Sequence, residues 1–254
     1  MTRDSILGST IRYVDTHCHV DLFPDPDGTM RVAREQGIAL IAMTNAPSVF
    51  TRICELAHRY DNVFCALGLH PELMTERHGE LPLFKRLVGQ TRFVGEIGLD
   101  GTRGGDHLDR QSQALRELLT SCQETGRHLL SVHSRRAGAQ ILEAIDPAFE
   151  GTVILHWFSG TLKQAHEALA RGWYFSVNRA MTASRTGQQL IKVLPKDRVL
   201  TESDAPLALV GGRPSSPHDV VAVVEFLADC WHIEKKDAAR QILETFVRAV
   251  PDQL

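Results

Sequence analysis

The stretch Ile38–Leu67 (IALIAMTNAPSVFTRICELAHRYDNVFCAL) decides the fold. It opens on the strand-like apolar run Ile38–Thr44. Ser48–Tyr60 follows, with Val49, Ile53, Leu56 and Ala57 at near-helical spacing, and the β-rich run Val63–Leu67 closes it. Strand, helix and strand in that order imply parallel strands joined by a crossover. The alternation extends both ways. On the N-terminal side lie a strand at Ile11–Thr16 and a helix at Thr29–Gln36, stopped by Gly37. On the C-terminal side strands are predicted at Arg92–Ile97, His128–Val132, Thr152–His156, Trp173–Val177 and Val199–Glu202. Helices are predicted at Glu80–Val88, Leu108–Thr125, Ala137–Ile145, Leu162–Ala170, Gly187–Leu194, Pro217–Cys230 and Glu234–Arg248. Gly101–Asp109, Gly-rich and polar, reads as a loop after the fourth strand.

Eight such units in 254 residues favour a TIM-type (β/α)8 barrel, which takes about 250 residues, over an open doubly wound sheet. No linker, low-complexity tract or short repeat interrupts the pattern, so residues 1–254 are expected to form one domain.

The 43% apolar and 23% charged shares exclude global disorder. The longest apolar run, Ile38–Met43, falls far short of the ~18 residues of a membrane helix. Met1–Thr10 lacks the apolar stretch of a signal peptide. Cys18, Cys54, Cys65, Cys122 and Cys230 are odd in number and form no CxxC pair, which predicts free thiols and a reducing cytoplasm. A net charge of −3 excludes coating of nucleic acid by charge alone. A phosphate-bearing substrate must instead be gripped locally, by metal ions or a few arginines. Of the 28 basic residues 22 are Arg, which suits bidentate phosphate contacts.

In a barrel enzyme the chemistry sits at the C-terminal ends of the strands. Five predicted strand ends carry His, Glu or Asp, and none carries Lys. They are Asp15-Thr16-His17-Cys18-His19, Gly95-Glu96-Ile97-Gly98, Val132-His133-Ser134-Arg135, Leu155-His156-Trp157-Phe158 and Glu202-Ser203-Asp204-Ala205-Pro206. His17 and His19, two apart on an extended chain, point to one face. Four His and two carboxylates (His17, His19, His133, His156, Glu96, Asp204) form a mixed nitrogen and oxygen ligand set that tolerates Zn, Mn or Mg. Six ligands exceed the need of one tetrahedral ion and suit two divalent ions bridged by a carboxylate, for which Glu96 is the natural candidate. Such a pair would activate a water and stabilise the attacking and leaving oxygens of a phosphoryl transfer. Each residue alone has a plainer reading as a core, salt-bridging or turn residue; the case rests on their coincidence at strand ends. His70, in Gly68-Leu69-His70-Pro71 after the third strand, either supports this face or is a turn residue. Trp157, Phe158 and Phe23 either stack one or two bases or pack the barrel mouth.

The ordered set DTHCH, GLHPE, GEIGLD, VHSR, HWFSG and ESDAP, spanning Asp15 to Pro206, resembles the TatD family of metal-dependent deoxyribonucleases. The resemblance implies a barrel of the metal-dependent hydrolase superfamily, two divalent ions, and cleavage of DNA phosphodiesters, often as a 3′–5′ exonuclease. Carried over, His17, His19, Glu96 and Asp204 would hold one ion, and Glu96, His133 and His156 the other. Asp204 would be the general base, with Glu96 and His70 also in the catalytic centre. His70 would lie near the scissile phosphate, and Arg135 would contact phosphate. The chain departs from the family at Trp157, where Cys is usual, at Ser203, at Gly101–Gly105, where aromatic residues are usual, and at Asn178-Arg179, where Gly is usual. Loops after strands seven and eight often bind phosphate in barrels, so Arg179 is expected to add a phosphate contact. These departures and the segment DLFPDP (Asp21–Pro26) resemble the TatD-like branch of Qat antiphage-defence clusters, which implies action beside other proteins of a defence operon.

The readings compete with others. Many small-molecule amidohydrolases on this barrel bridge their metals through a carboxylated Lys after the fourth strand; here Glu96 stands there, and the nearest Lys is Lys85, in a helix. A PHP-type phosphoesterase also opens with HxH, but GEIGLD and SDAP fit it poorly. A non-catalytic member that keeps the barrel as a binding surface for partners would not need all six ligands, and a further alternative is a partner-dependent subunit of a defence complex. A barrel that closes its own sheet is expected to be a monomer, with DNA as its substrate and no membrane contact.

Overall fold

The computed structural model describes residues 10–251. The leader reading of Met1–Thr10 therefore lies, save for Thr10, outside the described residues. Eight strands follow one another around a single sheet: β1 (Tyr13–Cys18), β2 (Ile38–Ala42), β3 (Val63–Leu67), β4 (Phe93–Gly98), β5 (Leu129–His133), β6 (Thr152–His156), β7 (Tyr174–Val177) and β8 (Val199–Thr201). Each pairs in parallel with the next. Parallel strands are covered on both faces, which is why β2 and β3 are buried at every residue.

The ring closes at the seam between β8 and β1 through the segment just after β8. Cys18 bridges Ala205 in parallel. Asp204 N donates to His17 O at 2.9 Å, and His19 N to Ala205 O at 2.8 Å. Buried Asp15 tightens the seam: it accepts from Ser203 N (2.9 Å), Ser203 Oγ (2.6 Å) and His17 N (3.2 Å). Burial pushes the Asp15 carboxyl up to about 8 although the Ser203 hydrogen bonds oppose it.

The connecting helices are α1 (Pro26–Glu35), α2 (Pro47–Ala57), α3 (Met74–Arg77), α4 (Leu81–Leu87), α5 (Gly105–Thr125), α6 (Gly138–Ala144), α7 (Leu162–Ala170), α8 (Arg179–Ala183), α9 (Arg185–Ile191), α10 (Val220–Trp231) and α11 (Lys235–Ala249). Local chemistry sets their starts. Asp25 caps α1, accepting from Gly28 N, with Pro26 at the first helical position. Thr161 and Gln164 form a capping box on α7. α11 packs beside β1 and β8, and the chain beyond it is tied to the strand starts: Thr152 Oγ1 donates to Ala249 O at 2.7 Å and Arg92 to Pro251 O at 3.0 Å. The C-terminal helix therefore closes the end of the barrel opposite the His-bearing strand ends.

The predicted elements are present, with boundaries shifted by one to three residues, and three features differ. Gly101–Asp109 is not all loop, because α5 already begins at Gly105. Gly104 and Gly105 take φ of 60° and 50°, and Asp106 follows in the first turn, where a carboxylate favours the helix dipole. The short helices α3 and α8 are not among the predicted elements, and neither is the hairpin of β9 (Leu209–Val210) and β10 (Arg213–Pro214) after β8. Among the described residues no helix is long and apolar enough to cross a membrane.

Candidate metal centre

β1 and β4 break register where the site is built: the irregularities fall between Asp15 and Cys18 and between Val94 and Ile97. A bulge re-aims side chains at a strand end, and His17 and Glu96 lie within these two. The Glu96 backbone is held on both sides, by Thr44 (Glu96 N to Thr44 O, 3.3 Å) and Leu69 (Leu69 N to Glu96 O, 3.0 Å). Gly68 makes this approach possible. A Cβ there would overlap Thr44 O and Glu96 N and stand 2.6 Å from Gly95 O.

The six predicted residues converge, and His70 joins them. Glu96 is central and buried. Its Oε1 lies 2.6 Å from His133 Nδ1 and 2.9 Å from His156 Nε2. Its Oε2 lies 3.2 Å from His19 Nε2, 3.5 Å from His17 Nε2 and 3.2 Å from His70 Nε2. Asp204 Oδ1 faces the first-strand pair, 3.5 Å from His19 Nε2 and 3.8 Å from His17 Nε2. His17 stacks on His156, ring centroids 3.9 Å apart and planes within 11°. Three groups have their donor atoms close enough together to share a cation: His17, His19 and Glu96; His17, His156 and Asp204; and His70, Glu96 and His133.

The far sides of His17 and His133 are hydrogen-bonded, and His156 faces a carboxylate. His17 Nδ1 meets Ser131 Oγ at 2.7 Å. His133 Nε2 meets Asp100 Oδ2 at 2.9 Å, which leaves its Nδ1 facing inward. Asp100 is held in turn by Thr102, and Gln111 of α5 accepts from its backbone N–H at 2.7 Å. His156 Nδ1 lies 3.5 Å from Glu202 Oε1. Glu202, fully buried, also accepts from Trp157 N (3.0 Å), Asn178 Nδ2 (2.9 Å) and Ser176 Oγ. His70 Nδ1 accepts from Glu72 N at 3.1 Å, which leaves Nε2 to carry the proton of a neutral ring. His70 is thus both the turn residue and the site residue that its sequence allowed.

Charge accounts for the rest. Burial alone would raise the Glu96 carboxyl, but His70, His156 and His133 outweigh it and hold it well below the usual carboxylate range. Asp204 is likewise held low against its burial, first by the neighbouring His19 ring. Burial disfavours a charged His19, yet Asp204 and Glu96 lift it to about 10. Against burial, Asp100 and Glu96 raise His133, and Glu96 and Glu202 raise His156 well above its usual value. His17 goes the other way, to about 4, through burial and repulsion from His156. The donor set fits a divalent cation. Ring nitrogens face one another at 3.1 Å (His17 and His19), and buried Asp204 Oδ1 and His19 Nδ1 lack hydrogen-bond partners. Buried polar atoms are rarely left so unless an ion or water completes them.

The predicted substrate residues are less closely placed. Arg135 is exposed, and its carbonyl accepts from Gly101 N at 2.8 Å. Arg179 is half-buried at the start of α8, whose cap is Asn178, and has no carboxylate partner among the described residues. Trp157 stands 36% exposed beside the cluster at φ 39°, its backbone pinned by Glu202. Phe158 is not available for stacking on bases: it is buried against Phe175, centroids 5.5 Å apart. Phe23 packs partly against the core. Lys85 pairs with Glu117 on the outer surface at 3.1 Å, so it bridges no metals. The sequence reading missed Asp100, Ser131 and Glu202 as orienting partners. Asp100 and Glu202 were visible inside GEIGLD and ESDAP, but nothing in their spacing names the histidine each one meets.

A family model described as TatD related DNase matches residues 14–250. The chain is 30% identical over 251 residues to the uncharacterized metal-dependent hydrolase YjjV of Escherichia coli (strain K12), covering 91% of this chain and 95% of that protein. It is 30% identical over 228 residues to the 3′-5′ ssDNA/RNA exonuclease TatD of Cronobacter sakazakii, covering 84% of this chain and 83% of that one. The crystal structure of the Escherichia coli YjjV protein superposes with a TM-score of 0.84 at 27% identity, covering 95% of this chain and 99% of that chain.

Proposed function

This chain belongs to the TatD family of metal-dependent deoxyribonucleases, and on that premise we propose that it is a two-metal phosphodiester hydrolase that shortens DNA from its 3′ end. One observation carries the reading. The two oxygens of Glu96 address separate sets of imidazoles, Oε1 the pair His133 and His156, Oε2 the pair His17 and His19. That is the arrangement of a bridging carboxylate. His17, His19, Glu96 and Asp204 would hold one ion, and Glu96, His133 and His156 the other. Bound there, two divalent ions (Mg, Mn or Zn) supply water activation and neutralise charge on the phosphodiester.

The chain's own residues do the remainder. Asp204 Oδ1, buried and without a hydrogen-bond donor of its own, takes the proton from the attacking water. His70 offers Nε2–H to a phosphate oxygen, since its Nδ1 is engaged by Glu72 N. Asp100, Ser131 and Glu202 hold the ligand rings in orientation. Arg179 and Arg135 grip phosphates, and exposed Trp157 stacks on a terminal base. The 3′–5′ polarity is supported by the likeness to the Cronobacter sakazakii exonuclease. The proposal extends to a cytoplasmic, single-domain monomer. It also includes a role in antiphage defence beside other proteins, which rests on the Asp21–Pro26 segment.

The test uses end-labelled single- and double-stranded oligonucleotides with Mg, Mn or Zn, with and without EDTA, beside Glu96→Ala. Metal-dependent shortening from the 3′ end that Glu96→Ala abolishes, with two ions per wild-type chain by elemental analysis, is the expected result. Two bound ions with no cleavage of DNA or RNA would overturn the nuclease assignment in favour of a small-molecule hydrolase. One ion per active chain would overturn the two-metal assignment.

A further inference from the structure

Outside the metal centre one cluster of reactive side chains stands out, between α2 and β3. Cys54 lies on α2, half-buried. His58, exposed at the end of that helix, places Nε2 3.8 Å from the Cys54 sulfur. Cys65, buried on β3, directs its thiol at Phe50 O, 3.9 Å away. Phe50 and Cys54 are four residues apart, so they share one face of the helix. The Cys65 sulfur therefore sits against the same turn of α2 that carries Cys54. None of these residues contributes to the metal centre.

We propose that Cys54 and Cys65 form a peroxide-responsive dithiol, in which half-buried Cys54 is the attacking thiol and buried Cys65 the resolving one. The chemistry balances. The Cys54 thiolate attacks one oxygen of a hydroperoxide, the O–O bond breaks, and the other oxygen leaves as water, or as an alcohol from an organic hydroperoxide, after taking up a proton. Cys54 is then a sulfenic acid. Cys65 sulfur attacks Cys54 sulfur, the S–O bond breaks, and the hydroxyl leaves as a second water carrying the Cys65 proton. The two thiols lose two electrons and the peroxide gains two. His58, beside the Cys54 sulfur, can pass the protons.

The electrostatics agree with this division of labour. Hydrogen bonding from Cys65, with help from His58, draws the Cys54 thiol down to about 6 against its burial, and the same interaction pushes Cys65 far up. Cys230, also half-buried, is the internal control, because burial raises its thiol above 9. The lowered thiol gives Cys54 the larger thiolate share of the two at neutral pH, which favours its oxidation over that of Cys230.

The experiment treats the full-length wild-type protein with hydrogen peroxide at pH 7, quenches with an alkylating reagent and maps peptides by mass spectrometry. The expected product is a Cys54–Cys65 cross-linked peptide, reversed by dithiothreitol and formed several-fold faster than any oxidation of Cys230. In Cys65→Ser the oxidation should stop at a Cys54 sulfenic acid that dimedone traps. Oxidation of Cys54 no faster than Cys230, or over-oxidation of Cys54 in the wild type without a cross-link to Cys65, would overturn the proposal. The wild-type map decides the matter even if the serine variant does not fold.

Discussion

Glu202→Gln is the sharpest probe of the centre, because it changes a charge and almost nothing else. The Glu202 carboxylate receives Trp157 N and Asn178 Nδ2 on Oε1 and Ser176 Oγ on Oε2, and it faces His156 Nδ1 at 3.5 Å. A glutamine with its carbonyl at the Oε1 position keeps the first two donors, and its amide can donate to Ser176, whose hydroxyl can turn to accept. Only the negative charge opposite His156 is lost. Losing a carboxylate that orients a metal-ligating histidine lowers metal affinity or activity by about 10–100-fold, which is about 1.4–2.7 kcal/mol. Glu202→Ala is the contrasting variant. It strands the Trp157 N–H and the Asn178 amide in a buried site, at about 1–3 kcal/mol each. At about 2–4 °C per kcal/mol for a chain of this size, the alanine variant should lose about 4–24 °C in Tm. Calorimetric metal titration, single-turnover cleavage of a labelled oligonucleotide and thermal melting separate the two. A glutamine variant that binds metal and turns over within twofold of wild type would refute the reasoning, since the charge on Glu202 would then do nothing for His156.

Three more predictions follow from the same geometry. Gly68→Ala puts a Cβ into backbone atoms that cannot yield, so it should cost about 3 kcal/mol, at the top of the usual overpacking range; Gly79→Ala, with nothing within 4 Å, should leave the melting curve unchanged. Arg179→Ala should raise KM several-fold with kcat unchanged and flatten the log–log salt dependence of binding by about 0.7–0.9 if one phosphate contact is lost; an unchanged KM and slope would sink the phosphate role. In EDTA, the folded-state pKa of His19 lies above its unfolded value, at about 10. Its contribution is therefore fully present below about pH 6.5 and is lost as pH rises through about 10. A metal must displace that proton, so the Tm gap between metal-loaded and EDTA-treated protein should widen as pH rises from 6 to 9; a gap that narrows over this range would contradict the pairing of His19 with Asp204 and Glu96.

The barrel was legible because each apolar run is short, almost wholly buried and followed by a helix-period stretch, a pattern that a parallel sheet imposes on its chain. The site residues were legible for a related reason. A barrel brings all strand ends to one rim, so a His or carboxylate at a strand end is a candidate whatever its distance in sequence. Phe158 misled because its position beside His156 says nothing about the side it faces, and it packs inward on Phe175. The Gly101–Asp109 loop misled because Gly104 and Gly105 read as breakers, whereas they take positive φ at the entry to α5 and let the helix begin early.

The sequence by itself determined the alternation of elements, the placing of His17, His19, His70, Glu96, His133, His156 and Asp204 on one rim, and the family. These follow from local periodicity and from motif order, both of which are written along the chain. Only the tertiary structure decided how the rim is wired. Which oxygen of Glu96 meets which histidines depends on the angle at which β4 meets its neighbours after its break in register. The pairing of Asp100 with His133, Ser131 with His17 and Glu202 with His156 depends on residues 33, 114 and 46 apart in sequence coming within 3.5 Å of one another. So does the seating of Cys65 on β3 against the turn of α2 that carries Cys54. Such contacts are fixed by packing between elements, at distances of about 3 Å that no spacing along a sequence encodes.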